Sequence, residues 1–199
     1  MNNIRTLKSE LRRRLRTALA GITPERRAAA SAQASALLRR QRVWLQAKSV
    51  LFYAPLADEL DLLPLLEEAL AEGRIVALPR YLPDPGIYSA FQIKSFSKDC
   101  APGHFGVFEP GLACPALALK SLDLALVPGV GFDAAGHRLG RGKGYYDRIL
   151  ADVAGTRCGV GFDEQIAPEI PAEAHDIVLN CILTPTQWVE TPGPRPAFS

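Results

Sequence analysis

Residues 128–148 read P-G-V-G-F-D-A-A-G-H-R-L-G-R-G-K-G-Y-Y-D-R. Gly140, Gly142 and Gly144 alternate with Arg141 and Lys143, and an aromatic, helix-like pattern starts at Tyr145. Glycine loses conformational entropy on folding and brings no side chain to pack, so such a run suits a backbone that must approach something closely. A run that ends on a helix N-terminus presents unpaired N–H groups. With arginine and lysine in the same loop, the fitting guest is an anion, phosphate above all. Arg141 can offer a planar fork and Lys143 a point charge. Asp147, one turn into the helix, is placed either to hold Mg²⁺ on phosphate oxygens or to face the helix dipole as an ordinary first-turn acid. A merely tight loop is the bland alternative. Neither common phosphate-loop pattern applies: Gly142-Lys143 is followed by Gly144 where a Walker loop needs Ser or Thr, and the alternating glycines come too late in the chain for a Rossmann fingerprint.

Something must hold that loop, and the rest of the chain reads as its scaffold. Leu7, Leu11, Leu15 and Leu19 recur every four residues and predict a helix over 5–20, with Lys8, Arg12 and Arg16 along one edge. Thr23-Pro24 is an N-cap followed by proline at the first helical position, opening a helix to about residue 40. The runs 50–53, 75–78, 122–127 and 157–160 are short and apolar, as buried parallel strands are. Residues 61–72 between the first two read as a helix closed by Gly73. Further strand signals lie at 91–93, 177–179 and 182–183, and residues 99–111 look like ordered loop. The alternation predicts an α/β domain of three layers, α/β/α, around a mostly parallel sheet of about six strands, with ligands beyond the carboxyl ends of the strands. Residues 1–190 read as a single catalytic domain, with 1–42 its basic helical N-terminal segment and 191–199 a loose tail.

Composition narrows the function classes. With 48% hydrophobic and 22% charged residues the 199-residue chain is an ordinary globule in make-up. No apolar run approaches the ~18 residues of a membrane span, and the N-terminus lacks an apolar signal core. Cys100, Cys114, Cys158 and Cys181 fit no C-x-x-C or zinc spacing and read as free thiols of a reducing, cytoplasmic compartment. Residues 1–42 hold eleven Arg or Lys against two Glu, so the remainder is acidic. No aromatic residues interleave with these cations before Trp44, which argues against single-strand nucleic-acid binding. A membrane partner is not expected either.

The loop sequence resembles the 5-formyltetrahydrofolate cyclo-ligases, also called 5,10-methenyltetrahydrofolate synthetases, whose signature is P-G-V-G-F-D-x-x-G-x-R-L-G-R-G-K-G-Y-Y-D-R. The likeness continues at Lys8 with Leu11-Arg12, at Tyr53 and Glu59, at residues 106–110, at Gln165 and at 171–176, so it covers about 5–185. It implies ATP-dependent conversion of 5-formyltetrahydrofolate to 5,10-methenyltetrahydrofolate with ADP and phosphate released, Mg²⁺ as cofactor, and a monomer in the cytoplasm. The formyl oxygen would attack the γ-phosphoryl group, and N10 would then close on the activated carbon. Such chemistry asks the protein to align two substrates and neutralise charge rather than to supply a nucleophile.

The resemblance also implies roles. Lys8 and Arg12 would hold ATP phosphates, together with Gly140, Arg141, Gly142, Lys143, Gly144 and Tyr145. Arg141, assisted by Lys8, would meet the transferring phosphoryl group. Arg138 would join them or pair with a structural carboxylate such as Asp133. Of Tyr145 and Tyr146, about 100° apart on a helix, Tyr146 is the expected substrate contact and is grouped with the catalytic residues. Asp147 is the expected Mg²⁺ ligand. Glu59 would read the pterin edge, with Tyr53 beside it. Many family members carry a methionine before the Gly-x-x-Glu-Pro segment; the chain has none there, and Phe91 is the expected substitute. His104, His137 and His175 suggest no metal site, and Asp133 is read as a brace for the loop backbone. Two rival readings remain: a related ligase with a different second substrate, and a non-catalytic nucleotide- or RNA-associated protein. They divide on whether Lys8, Glu59, Tyr53 and the loop around Glu109 converge on the glycine-rich cleft.

Overall fold

A computed structural model describes residues 2–173 and 176–192. The chain opens with three helices, α1 (Asn2–Leu19), α2 (Pro24–Leu38) and α3 (Arg42–Gln46), before β1 (Ser49–Leu51). Helix α4 (Leu63–Ala71) crosses to β2 (Ile75–Leu82), which turns into β3 (Ile87–Ile93). A short helix α5 (Phe96–Asp99), the two-stranded β4 (Cys100–Pro102) and β5 (Phe108–Pro110), and β6 (Ala116–Leu117) lead to β7 (Leu124–Pro128). The hairpin of β8 (Gly131–Phe132) and β9 (Arg138–Leu139) precedes α6 (Tyr145–Ala151), and β10 (Thr156–Val160), β11 (Cys181–Leu183) and β12 (Trp188–Glu190) are the last elements among the described residues.

Eight strands form the main sheet in the order β12-β11-β10-β7-β1-β2-β3-β6. The five from β11 to β2 are parallel, and β12, β3 and β6 add antiparallel edges. Side chains alternate faces along a strand, and the core obeys this: Leu124 and Leu126 face α2, α3 and α4, while Ala125 and Val127 face α6. That is the three-layer arrangement expected. The sheet exceeds six strands because β6 and β12 are only two and three residues long, too short to show a pattern. The run 177–179 forms no strand. Leu179 is instead buried against the second core layer, with its N–H donated to the Gly136 carbonyl. The turn-rich 81–89 segment is the end of a long hairpin, so β3 begins at Ile87 rather than Phe91.

The local signals hold at the helix starts. Thr23 caps α2 by accepting the Arg26 N–H, and Pro24 occupies its first turn. Asp61 accepts the Leu63 N–H, so the predicted 61–72 helix starts two residues late, and Gly73 ends it at φ +78°. The strand order reverses beside β1: the chain leaves β1 for β2 on one side and runs from β7 to β10 on the other. Crevices open at such a reversal, beyond the carboxyl ends of the strands.

Candidate active site

A cleft of about 700 Å³ opens at that reversal. Ala54 and Leu56, just after β1, and Pro128 and Gly129, at the end of β7, form part of its floor. The glycine-rich loop forms one wall. Its base is rigid because Asp133, buried to 2% exposure, accepts the N–H groups of Ala135, His137 and Ile170 at 3.0, 3.0 and 2.8 Å. His137 Nδ1 lies 3.0 Å from the same carboxylate. Beyond β9 the chain bends through Gly142 at φ +104° and Gly144 at φ +65°, left-handed positions that side chains resist, and enters α6 at Tyr145.

Helix α1 forms the opposite wall and is fastened to this loop. Leu15 packs among Val130, Leu139, Ala167 and Ile170. A Cβ at Gly131 would stand 2.4 Å from Leu15 Cδ1, so the helix lies directly on the loop backbone. Arg12 Nε donates to the Gly140 carbonyl at 2.8 Å. This docking turns Arg5, Lys8 and Arg12 into the cleft. The leucine ladder is only half used, since Leu15 and Leu19 are buried while Leu7 is 43% exposed. The first turns of α1 run over the cleft and contribute cations there instead of apolar packing.

Arg138, Arg141 and Lys143 join Arg5, Lys8 and Arg12, facing the carboxylates Glu59, Glu109, Asp147, Glu173 and Asp176. Most of these charges hold one another. Lys8 Nζ lies 2.7 Å from Asp176 and 3.0 Å from Glu173. Burial would lower the Lys8 pKa, but those two hydrogen-bonded carboxylates outweigh it and raise it above the ordinary lysine value. Arg141 reaches Asp58 at 2.6 Å and Glu59 at 3.0 Å. Burial again opposes the charge, and the two acids more than offset it, so its pKa rises. Glu59 also accepts the Leu56 N–H at 3.0 Å. Burial pushes its pKa up from the usual glutamate value against the pull of that N–H and of Arg141. Arg138 is buried under the loop and pairs with Asp147 at 2.9 Å rather than with Asp133.

Tyr145 and Tyr146 divide as their angular separation predicts. Tyr146 packs toward the second core layer, with Arg138 above its ring, and burial pushes its hydroxyl pKa up. Tyr145 enters an aromatic group with Tyr81 and Tyr88, at centroid distances of 5.9 and 5.0 Å. His104 stacks on Tyr81 at 3.9 Å, and Phe105, 65% exposed with φ +58°, closes the cluster. Both tyrosines line the cleft.

Two expected contacts are not brought to the cleft wall. Tyr53 is buried and donates its hydroxyl to the Leu60 carbonyl at 2.7 Å, pinning the segment that carries Glu59. Phe91 lies under the Arg80 guanidinium at 3.5 Å. Three residues along a strand point to opposite faces, so on β3 it is Tyr88, not Phe91, that lines the cleft. Arg5, Tyr88 and Phe105 carried no recognisable spacing in the sequence. Glu109, Glu173 and Asp176 sat inside resembling segments without an assigned role. His175 falls outside the described residues.

Among the described residues no group of three or more His, Cys, Asp or Glu gathers as a ready metal cage. Asp147 nonetheless suits Mg²⁺. It lines the cleft, gives Arg138 only Oδ1 in the hydrogen bonds described, and Mg²⁺ bound with nucleotide takes one or two carboxylates, the remainder coming from phosphate and water. No described helix is long and apolar enough to cross a membrane.

Comparison with known proteins bears on this cleft. The profile of the 5-formyltetrahydrofolate cyclo-ligase family matches residues 4–185. The mouse 5-formyltetrahydrofolate cyclo-ligase is 29% identical over 191 residues, covering 90% of this chain and 92% of its own. The enzyme of the same name from Mycolicibacterium smegmatis is 34% identical over 150 residues, 73% of this chain and 77% of that one. The solution structure of Aquifex aeolicus 5,10-methenyltetrahydrofolate synthetase superposes with a TM-score of 0.84 at 32% identity, covering 97% of both chains. With its loop, its N-terminal cations and its buried glutamate in one cleft, and with these matches along nearly its whole length, the chain belongs to the 5-formyltetrahydrofolate cyclo-ligase family.

Proposed function

We propose that the protein converts 5-formyltetrahydrofolate and ATP to 5,10-methenyltetrahydrofolate, ADP and phosphate by phosphorylating the formyl oxygen. The observation that carries this reading is the convergence of Lys8, Arg12, Arg141 and Lys143 with the buried carboxylate of Glu59 in one cleft. Cations suit a polyphosphate, and a dry carboxylate suits the paired N–H donors of a 2-aminopyrimidinone edge. A single cavity with both features can place an amide oxygen against a γ-phosphoryl group.

In the first step the formyl oxygen forms a bond to the γ-phosphorus as the bond to the bridging oxygen breaks, and ADP departs with that electron pair. N10 then attacks the formyl carbon and loses its proton, and phosphate leaves with the former formyl oxygen. Lys8, Arg12 and Lys143 hold the triphosphate, and the Arg141 fork neutralises charge on the transferring group. Asp147 would hold Mg²⁺, which supplies further neutralisation of phosphate charge. Tyr145 and Tyr146 border the reacting rings, and Glu59 fixes the pterin so that the formyl group faces the phosphates.

The test is the absorbance of the methenyl product with ATP, 5-formyltetrahydrofolate and Mg²⁺ each omitted in turn. Product is expected only when all three are present. In the same assay Arg141→Ala should lower kcat by about 10²-fold while changing the KM for ATP less, because the fork matters most as charge develops. Product without ATP would contradict the reading, and so would an Arg141→Ala enzyme of normal turnover.

A further inference from the structure

The cleft contains two buried glutamates, and the reaction above uses one. Glu59 already has partners for both oxygens: Oε2 accepts the Leu56 N–H and Oε1 accepts Arg141, each at 3.0 Å. Glu109, on β5, is 7% exposed and lines the same cleft. Its Oε2 accepts the Tyr81 N–H at 3.2 Å. Its Oε1 is fully buried and has no hydrogen-bond partner among the described residues. The Tyr88 hydroxyl lies close to this carboxylate: after burial, the charge of Glu109 and a side-chain hydrogen bond to it raise the Tyr88 pKa, although that contact leaves Oε1 without a partner of good geometry.

A buried acceptor without a partner is uncommon and costs free energy in the empty protein. This one is also held in place. A Cβ at Gly103 would lie 2.6 Å from Oε2, so the loop backbone closes directly on the carboxylate. Its surroundings describe a guest. Tyr88 and Tyr145, packed edge to face with centroids 5.0 Å apart, and Phe105 line the cleft beside it. A carboxylate without a paired cation repels phosphate and accepts N–H. The shared chemistry is that of a planar, nitrogen-rich ring carrying an N–H donor, a description that fits both a reduced pterin and adenine.

We propose that Glu109 is a specificity-determining residue whose Oε1 accepts a hydrogen bond from a ring N–H or amino group seated against Tyr88 and Tyr145. The assignment rests on the reading that this cleft takes 5-formyltetrahydrofolate and ATP. It adds a second acidic contact, separate from Glu59 and different in its state before binding: both oxygens of Glu59 already have partners, whereas Oε1 of Glu109 has no well-placed one among the described residues.

Glu109→Gln tests it, because glutamine keeps the shape and the acceptor for the Tyr81 N–H but turns an NH₂ donor toward the guest. Calorimetric titration of 5-formyltetrahydrofolate and, separately, of a non-hydrolysable ATP analogue is compared with wild type, alongside the thermal midpoint. One affinity should fall by about tenfold or more, with the other affinity and the midpoint essentially unchanged. Loss confined to the folate assigns the contact to the pterin, and loss confined to the nucleotide assigns it to adenine. Unchanged affinity for both, or an equal loss of both, overturns the proposal. Titration reads binding without turnover, so a wild type that binds both compounds but makes no methenyl product refutes the proposed reaction alone. A wild type that binds neither overturns both.

Discussion

Glu59 and Arg141 lie 3.0 Å apart and connect the two halves of the cleft. In the proposed reaction Arg141 serves the transferring phosphoryl group and Glu59 the pterin, so each substrate would meet a side chain already engaged with the other's. The state of Glu59 therefore sets the pH dependence. Burial raises its pKa first, Asp58 adds to that, and the Leu56 N–H and Arg141 oppose it. Tyr53 and Tyr146 also face the carboxylate, both held protonated by burial. A raised pKa keeps the carboxyl protonated to higher pH than an ordinary glutamate, and a protonated carboxyl cannot accept two N–H donors. The KM for 5-formyltetrahydrofolate should thus rise as pH falls through this raised value, while that for ATP changes less. The stability sign is opposite: folding favours the neutral acid, so this contribution is present below the unfolded pKa and lost as pH rises through the folded one. In Glu59→Gln the acid limb of the folate KM profile should vanish, and the folate KM should be high throughout. An acid limb that survives in that variant would assign the titration to another group.

At the scale of elements, α1 does more than cover the core. The four-residue leucine spacing was legible, and so was the basic edge beside it, but the division of labour along the helix was not. Periodicity shows which side chains share a face; it does not show where the helix overhangs a cleft, as it does from Arg5 to Arg12. Phe91 illustrates the same limit. Phe91 is singled out by its place in a resembling segment; β3 starts four residues earlier, at Ile87, and Tyr88, three residues from Phe91 and so on the opposite face, lies in a segment that reads as turn. The anchor that the structure singles out is Leu15, 5% exposed against Val130, Leu139, Ala167 and Ile170. Leu15→Ala should destabilise the fold by about 2–5 kcal/mol and, because α1 carries Lys8 and Arg12, should raise the KM for ATP at temperatures where the variant remains folded. Thermal unfolding and initial rates check the two halves separately. A lower midpoint with an unchanged KM would mean that α1 is held to the loop by the Arg12–Gly140 contact without help from this leucine.

For the molecule as a whole, short apolar runs alternating with helical patterns were enough to give a three-layer α/β fold, because parallel strands buried on both faces leave that signature. Their order was not legible, since hydrophobicity does not say which strand lies beside which. The reversal beside β1 is therefore the feature that only the structure supplies, and it explains why residues as distant in sequence as Lys8, Glu59, Glu109 and Arg141 border one cleft. The glycine-rich loop pointed to a phosphate site through its own residues; Glu59 was reached only through the family resemblance and Glu109 had no assigned role, because a lone glutamate reads as solvated surface. The proposed reaction makes a direct demand on the chemistry: if the formyl oxygen is the atom phosphorylated, it must leave on phosphate. The measurement is mass analysis of the phosphate released from 5-formyltetrahydrofolate carrying a heavy oxygen isotope in its formyl group. The account predicts one labelled oxygen in each phosphate formed during turnover. Unlabelled phosphate, with the heavy oxygen recovered in water, would contradict it.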